Sequence, residues 1–450
     1  MLVMVSVNVY EISEYSDFKS GFCFEYNGRK YLALVGAPYP GQPAVVVASI
    51  DDHTLTPITI EDSSCDRASA RIIPIEGNLY KIENGHLIIR VLYARDASDE
   101  VVCAEYDIDL ESMTGSMSVV WTQSISGTLN PVKSAVIDDF SEVLWPLVDA
   151  STVYILDISD GSIKDSFDTG FGEYNPRASY KIKRTDSSYI ALFGRHLQGD
   201  PFYRFDRSAK SVASISGSSV GDDSPNPGMC EPYKTGGEVL YYPASGATVH
   251  GSSPDLVWFS GDLNLLGKTD LSGIYANAHL AGMVVIGRLG NGNLACILWV
   301  ANDHIMDATE WKIVYAEVNP STWSIVSTAT LKTSAGSDGY EGPFETFYDR
   351  CAAVYVDVEN RRMWCMGKKY DSDADSLSGT VLYEFDLSDL DISEWNEWHT
   401  LSTVPAAPTG WEWLQTLMDL MNTLMYLVLF ILVLSLLISS MREAKRPAEE

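Results

Sequence analysis

Positive charge is what this sequence has least of. Its 450 residues carry 31 Lys and Arg against 61 Asp and Glu, a net charge of −30. Residues 442–450 hold three of each sign, so residues 1–441 carry the whole imbalance, 28 basic against 58 acidic. Such a surface repels polyanions, which excludes nucleic acid as a partner and anionic lipid surfaces as a docking site for the main body. Cysteine is sparse as well. The seven, at 23, 65, 103, 230, 296, 351 and 365, include no Cys-x-x-Cys pair and no histidine at ligand spacing, which argues against zinc and dithiol redox chemistry. Their odd number argues against a full disulfide framework, and they read as buried thiols. The seven histidines are scattered, and neither a P-loop nor His-Glu-x-x-His occurs.

What is present is repetition. Thr152 to Gly170 reads TVYILDISDGSIKDSFDTG, a β-branched and aromatic run, a turn-forming DISDG and a second extended run: a hairpin. Apolar runs ending in an acidic or polar turn recur seven times, at Asp51, Asp107, Asp157, Asp206, Ser260, Asn319 and Asp386, at spacings of 49 to 67 residues. Tight-turn pairs between apolar runs form a second series: Asn27-Gly28, Asn84-Gly85, Asp138-Asp139, Asp186-Ser187, Gly236-Gly237, Asn291-Gly292 and Glu359-Asn360. The two series keep step, each turn preceding its run end by 19 to 28 residues. Seven units of four antiparallel strands follow. One four-stranded sheet cannot bury both its faces alone, whereas seven packed radially bury each against the next.

Through DISDGSI at 157–163 and DLESMTGSM at 109–117 the repeat resembles the quinoprotein-like and YVTN-type propeller superfamily. The resemblance covers two units well and the others as a hydrophobic pattern. It implies a fold and not an activity. The Trp-Asp dipeptide of the WD40 type and the Asp-box of sialidases are both missing. The expected fold class is therefore all-β, a seven-bladed β-propeller over residues 1–401, followed by a single C-terminal transmembrane α-helix. The N-terminal MLVMVSVNVYEISEYSD has no basic start and only a short apolar stretch, so no export signal is expected. Its alternation reads as a strand closing the ring against the final blade. The Glu359-Asn360 turn would set Cys365 opposite Val354 rather than Cys351.

After residue 401 the character changes. Residues 402–410 form a Pro-containing linker, and TGWE at 409–412 fits a capping box that starts a helix over 411–441. Leu420 to Met441 are 22 residues without a charge, long enough to span a bilayer core of about 30 Å. Trp411 and Trp413 suit the near interface, Leu420, Leu427, Ile431 and Leu434 the hydrocarbon, and Arg442, Lys445 and Arg446 the far side, with 442–450 as a charged tail. A seam from Trp413 through Leu417, Leu420, Leu424 and Leu427 supports a homo-oligomer held by this helix, against the alternative of a lone helix in lipid. The basic tail would keep the C-terminus cytoplasmic and the head outside, while the missing export signal favours a cytosolic head. Display on the membrane of a virion assembled in a host cell satisfies both.

Propeller ligands bind where the loops joining strands two to three meet those joining one blade to the next. Here that end carries 36–43 with Tyr39, 242–254 with Tyr242 and His250, 301–310 with Asp303, and 334–350 with Glu341, Glu345, Tyr348 and Arg350. Segments 221–233 and 371–379 share it, and the opposite end has mostly two-residue turns, so function is expected at the long-loop end. Asp371, Asp373 and Asp375 alternate as in a calcium loop, yet Ser376 and Leu382 stand where an EF-hand needs Gly and Glu; a solvated acidic loop and no cofactor are therefore expected, with structural calcium as the alternative. The functional expectation is a membrane-anchored, non-enzymatic attachment or display protein, such as the spike of a membrane-containing virus, meeting a receptor, a glycan or a neighbouring coat protein. Alternatives are an anchored glycoside hydrolase using Glu341 and Glu345, and a tail-anchored scaffold for protein partners.

Overall fold

The computed structural model describes residues 5–13, 18–36, 44–51, 58–61, 70–73, 75, 80–95, 99–125, 135–136, 142–146, 152–168, 177–184, 188–194, 202–214, 231–234, 238–243, 255–260, 265–303, 308–335, 338–341, 354–371 and 376–396. The chain divides into two units, Met1–Ser402 and Thr403–Glu450. Every described residue belongs to the first. The linker, the apolar helix and the tail read from the sequence lie outside the described residues.

The fold is all-β. Among the described residues the strands pair antiparallel into seven sheets of four or five strands. In chain order these hold residues 18–61, 70–124, 135–168, 177–214, 231–270, 279–335 and 338–386. The sixth gains a fifth strand from Ile392–Trp395, and the seventh takes Ser6–Ser13 as its outer strand. The N-terminal strand thus closes against the last sheet as its alternation implied, with Ser6 opposite Asp386 and Tyr10 opposite Leu382.

Local chemistry explains why the two series keep step. Each turn pair lies between the first and second full strands of a sheet. At Asn27-Gly28 and Asn84-Gly85 both residues have positive φ, 51° and 74°, then 53° and 86°, the conformation a two-residue hairpin demands. Each run end lies at or near the end of the third strand, and in the third, fourth, sixth and seventh sheets its side-chain oxygen accepts a backbone N–H of the following turn, whereas Asp51 in the first accepts Lys30 N at 2.8 Å. Asp157 Oδ1 accepts Ser159 N at 2.8 Å, Asp206 Oδ1 accepts Ala209 N at 2.8 Å, Asn319 Oδ1 accepts Ser321 N at 2.8 Å and Asp386 Oδ1 accepts Ser388 N at 3.0 Å. In the second sheet the capping residue is Asp109, which accepts Glu111 N and Ser112 N; Asp107 stays within the strand Glu100–Asp109. The unit end there falls two residues later than the sequence pattern suggested, because Tyr106 and Ile108 are both buried and keep the strand running.

Packing follows from the twofold alternation of strands. Leu294–Ala301, in the sixth sheet, is buried at all eight positions. Leu294, Cys296, Leu298 and Val300 join a core with Leu256 and Trp258 of the fifth sheet, while Ala295, Ile297, Trp299 and Ala301 join Met363, Tyr383 and Phe385 of the seventh. One strand therefore feeds two inter-sheet cores. Leu32, Leu34 and Val46 of the first sheet pack on Tyr355, Trp364 and Leu382 of the seventh. Phe22 stacks on Tyr80 between the first and second sheets, ring centroids 4.5 Å apart. Trp121 of the second sheet packs with Leu156 and Ile158 of the third and donates Nε1–H to Ile158 O at 3.0 Å. Between the third and fourth the contact is ionic: Arg207 reaches both Glu142 oxygens at 3.2 Å, and Lys210 pairs with Asp165. Among the described residues, contacts thus join the first four sheets in sequence and the fifth to the seventh, and the seventh returns to the first: a propeller-like succession.

Three details depart from the sequence reading. The inner strand of the second sheet is split, Ala70–Ile73 and Tyr80–Glu83 both pairing with His86–Arg95. The seventh sheet repeats this, Asp338–Glu341 and Val354–Asp357 both pairing with Arg362–Asp371. Chain expected to form a loop around Glu341 is therefore strand up to that residue. The loop expected over 371–379 is also shorter, since Asp371 and Ser376 pair and only 372–375 connect them. The cysteine register holds, with Val354 opposite Cys365, and the thiols of Cys103, Cys296 and Cys365 are buried.

Close approach between sheets needs glycine. A Cβ on Gly267 would lie 2.2 Å from Trp323 Cδ1, in a stack where Trp323 lies over Trp258 at 4.8 Å. Gly267→Ala should lower unfolding stability by about 1–3 kcal/mol, as overpacking does, whereas Gly273→Ala, with nothing within 4 Å of its Cβ, should change it little; denaturant titration of the two variants measures the difference. The turn caps predict an acid limb. Hydrogen bonds from the Ser388 side chain and N–H, with burial opposing, hold the Asp386 carboxyl below its ordinary value. Its contribution is complete above the unfolded-state pKa of about 3.9 and decays as pH falls through the lower folded value. Asp386→Asn keeps an acceptor without the charge, so stability followed from pH 6 downward should fall less steeply below about pH 4 than in the parent chain.

Candidate functional site

The end of each sheet where strand two turns to strand three is the end expected to bear function. In the sixth sheet that end is described most fully. The strand Leu294–Ala301 stops at Asn302, whose Oδ1 accepts Thr309 N at 2.9 Å and Glu310 N at 3.1 Å, while its Nδ2 donates to Thr309 Oγ1 at 3.0 Å. Asn302 N also donates to Glu310 O at 2.9 Å. One asparagine thus pins both ends of the connection between Leu294–Ala301 and Glu310–Asn319. Asp303 follows it, half-buried at the mouth of the loop.

The segment arriving from the fifth sheet is drawn to the same place. Leu271 O accepts the N–H of Ile274 and, at 3.4 Å, of Tyr275, a tight turn that presents the Tyr275 ring. Tyr275 Oη–H donates to Glu310 Oε1 at 2.7 Å. Lys312, two residues on from Glu310 and on the same face of its strand, sets Nζ 3.9 Å from the Tyr275 ring centroid and 3.5 Å from Glu310 Oε1. Burial raises the Tyr275 hydroxyl and the bond to Glu310 raises it further. The same bond holds the Glu310 carboxyl below its ordinary value, with Lys312 adding to it. The phenol is therefore a fixed donor, the carboxylate a fixed acceptor, and the ammonium lies on the aromatic face. The set fastens the segment arriving from the fifth sheet to the base of the loop whose amides Thr309 N and Glu310 N are held by Asn302. It holds no base poised on a nucleophile.

The residues singled out from the sequence distribute over three sheets. Tyr242 is in the strand Glu238–Pro243 of the fifth, opposite Val257. Asp303 is in the sixth. Glu341 ends the strand Asp338–Glu341 of the seventh, opposite Lys368, and Asp371 ends the neighbouring strand, opposite Asp338 and Ser376. Each therefore stands at or near the long-loop end of its own sheet. Tyr39, His250, Glu345, Tyr348, Arg350, Asp373 and Asp375 lie outside the described residues, as do Trp411, Trp413, Leu420, Leu427, Ile431, Leu434, Arg442, Lys445 and Arg446. Among the described residues no group of three His, Cys, Asp or Glu side chains could hold a metal ion.

Tyr275, Glu310 and Lys312 were not singled out from the sequence. The alternation Glu-Trp-Lys at 310–312 opening a strand was the available signal, since it places Glu310 and Lys312 on one face. Residues 217–221, GSSVG, match the Gly-x-Ser-x-Gly spacing of a nucleophile elbow. That motif requires a strand-to-helix turn; the described elements are all strands, and 217–221 lie outside the described residues.

No protein-family description matches the chain, and no curated protein matches it. Among solved structures it is similar to the dihydro-heme d1 dehydrogenase NirN in complex with DHE, with 12% identity over 83% of this chain and 74% of that one and a TM-score of 0.38. It is similar to Kluyvelomyces marxianus Hsv2, with 8% identity over 80% and 96% and a TM-score of 0.38. A member of the DUF4221 family from Bacteroides vulgatus shares 11% identity over 86% and 99%, with a TM-score of 0.36.

The Tyr275 to Glu310 bond joins the inter-sheet segment to the sixth sheet. Tyr275→Phe keeps the ring under Lys312 and removes the donor, so it should cost about 1 kcal/mol, the low side for a hydrogen bond to a charged group at a half-exposed site. Tyr275→Ala should cost more by losing the cation–π contact as well. Denaturant midpoints of the two variants against the parent chain give both numbers.

Proposed function

We propose that the chain is a membrane-anchored display or attachment protein: a closed seven-bladed propeller head over residues 1–401, held by one C-terminal helix over 411–441. One feature of the chain carries this reading. Strand-forming sequence that repeats seven times gives way, after a short linker, to 22 uncharged residues bounded by tryptophans on one side and Arg442, Lys445 and Arg446 on the other. Among the described residues no helix is long and apolar enough to cross a membrane, and residues 411–441 lie outside them.

A head of this kind offers partners its long-loop end, and the Tyr275, Glu310 and Lys312 set supports binding there. The ligand class that fits is a polar receptor or glycan surface, which an aromatic edge and a carboxylate engage by stacking and paired hydrogen bonds. A virion or cell surface is the setting that accommodates both the basic tail and an acidic head. Calcium, if bound at 371–375, would be structural.

Partition of the full-length chain tests the anchor. After a high-salt or carbonate wash it should remain with membranes. Leu427→Asp with Leu434→Asp should release it, because each Asp near a helix centre adds about 2.5–3.5 kcal/mol to insertion. Retention of the double variant in the membrane fraction sinks the single-anchor reading. Protease shielding of the tail in intact membranes then reports which side the head faces.

A further inference from the structure

The outer strand of a propeller-like sheet presents unpaired N–H and C=O groups along its free edge, and proteins blunt such edges with charge, proline or shortness. Most outer strands here follow that rule. Ile58–Glu61 and Ser211–Ser214 are four residues long, and Ile163–Asp168, Leu265–Asp270 and Ser6–Ser13 each carry at least one charged side chain. Ser324–Ala335 carries Lys332, whose Nζ lies 5.0 Å from the Tyr340 ring centroid, and it packs against Asp338–Glu341 and Ser6–Ser13. Thr114–Ser124, which meets Ile60 of the first sheet at Gly115, is the exception in composition among the described strands. Its eleven residues, TGSMSVVWTQS, include no charge and no proline, and only Trp121 is buried.

The middle of this edge is apolar. Pairing with Glu100–Asp109 slips between Val119 and Trp121, leaving Val120 as the extra residue of a bulge. Trp121 turns inward, its ring against Gly161 and its Nε1–H on Ile158 O. Val119 and Val120 are left 44% and 38% exposed, next to each other at the midpoint of the strand. A bulge usually protects an edge; this one sets two valines on it.

We propose that Thr114–Ser124 is a self-association edge, and that its occupant is the same strand of a second copy, paired antiparallel about a twofold axis at Val119. Three observations select a second copy. The edge is self-complementary in an antiparallel sense: pairing about Val119 sets Val119 on Val119, Thr114 on Ser124, Ser116 on Thr122 and Val120 on Ser118, and no position of the strand opposes two charges. The strand itself also carries no carboxylate, in a chain with a net charge of −30, so two copies meet along it with acids only at its ends. Pairing about Val119 brings the four exposed valines of two copies onto the axis and covers them. Such an interface is isologous and closes at two copies. It does not depend on the membrane anchor.

The ends of the strand set its salt dependence. Glu111 and Asp99, both exposed, flank its two ends, so antiparallel pairing brings Glu111 of one copy toward Asp99 of the other. Screening relieves that repulsion, the Debye length shrinking from about 10 Å at 0.1 M salt to about 3 Å at 1 M. Association should therefore strengthen with salt.

The test uses the full-length chain in mild detergent, as Val119→Cys and, for comparison, Val326→Cys on the other long edge. Facing residues of an antiparallel pair stand about 4.5–5.5 Å apart at Cα, within disulfide reach. On mild oxidation Val119→Cys should give a covalent dimer at a rate that rises with NaCl, well ahead of Val326→Cys. Val120→Lys, read by sedimentation without crosslinking, should weaken the dimer by about tenfold or more, since it removes an apolar contact from each copy and sets two like charges diagonal to each other across the axis. Equal crosslinking of the two cysteine variants overturns the proposal, as does a dimer insensitive to Val120→Lys, which would belong to the anchor helix. A monomeric chain that instead captures an unrelated strand-forming peptide assigns the edge to a foreign strand, and also overturns it.

Discussion

The structure depends on the meeting of its last sheet with its first. A four-stranded sheet with two apolar faces is insoluble alone, and the buried strand Leu294–Ala301 shows each face finding its partner in a neighbouring sheet. A row of such sheets leaves two open faces unless the last meets the first. The meeting is made by Ser6–Ser13, which joins the strand Ser376–Asp386 from the far end of the head. Glu384 is its polar centre: Oε2 accepts from Asn8 Nδ2 at 3.3 Å and Tyr10 Oη at 3.1 Å, while Oε1 accepts Arg362 at 2.6 Å. That one carboxylate ties its strand to both neighbours. Lys369 to Glu11, at 3.1 Å, adds an exposed pair of smaller weight.

The acidity of the chain is partly explained by its turns. Asp109, Asp157, Asp206 and Asp386 each stand at the end of a third strand and accept backbone N–H groups of the turn that follows. A carboxylate is a stronger acceptor than a neutral side chain, so a repeated turn of this kind accumulates negative charge as units are added. Where the acids would crowd at an inter-sheet junction, a cation sits among them. Arg207 and Lys210 answer Glu142 and Asp165, and Lys30 lies 3.4 Å from Asp357 with its ammonium 4.5 Å over the Trp364 ring.

The two ends of the sheets differ in kind. At one, short turns are fastened by side chains of the turns themselves. At the other, connections are longer and are fastened from outside, as Asn302 and Tyr275 show in the sixth sheet. A loop held at its base and open at its tip can vary without loosening the core. The outer edge is a third surface, and Thr114–Ser124 differs from the remaining edges because its bulge turns Trp121 into the core and two valines out.

How much of this was legible in the sequence depends on the range of the interaction. The antiparallel units, the turn pairs, the strand ends and the closing N-terminal strand follow from neighbours within a hairpin or from alternation along one strand. They could therefore be read residue by residue, down to Cys365 opposite Val354. The shift from Asp107 to Asp109, the split inner strands at 70–83 and 338–357 and the return of Ile392–Trp395 to the sixth sheet could not. Nor could the meeting of Tyr275 with Glu310, 35 residues away. Each is decided by which distant surface happens to lie alongside, and a chain's local pattern carries no record of that. Sequence alone determined the repeat, its strand order and its charge; tertiary packing decided which residues the repeat brings face to face, because burial is shared between sheets and not contained in any one of them.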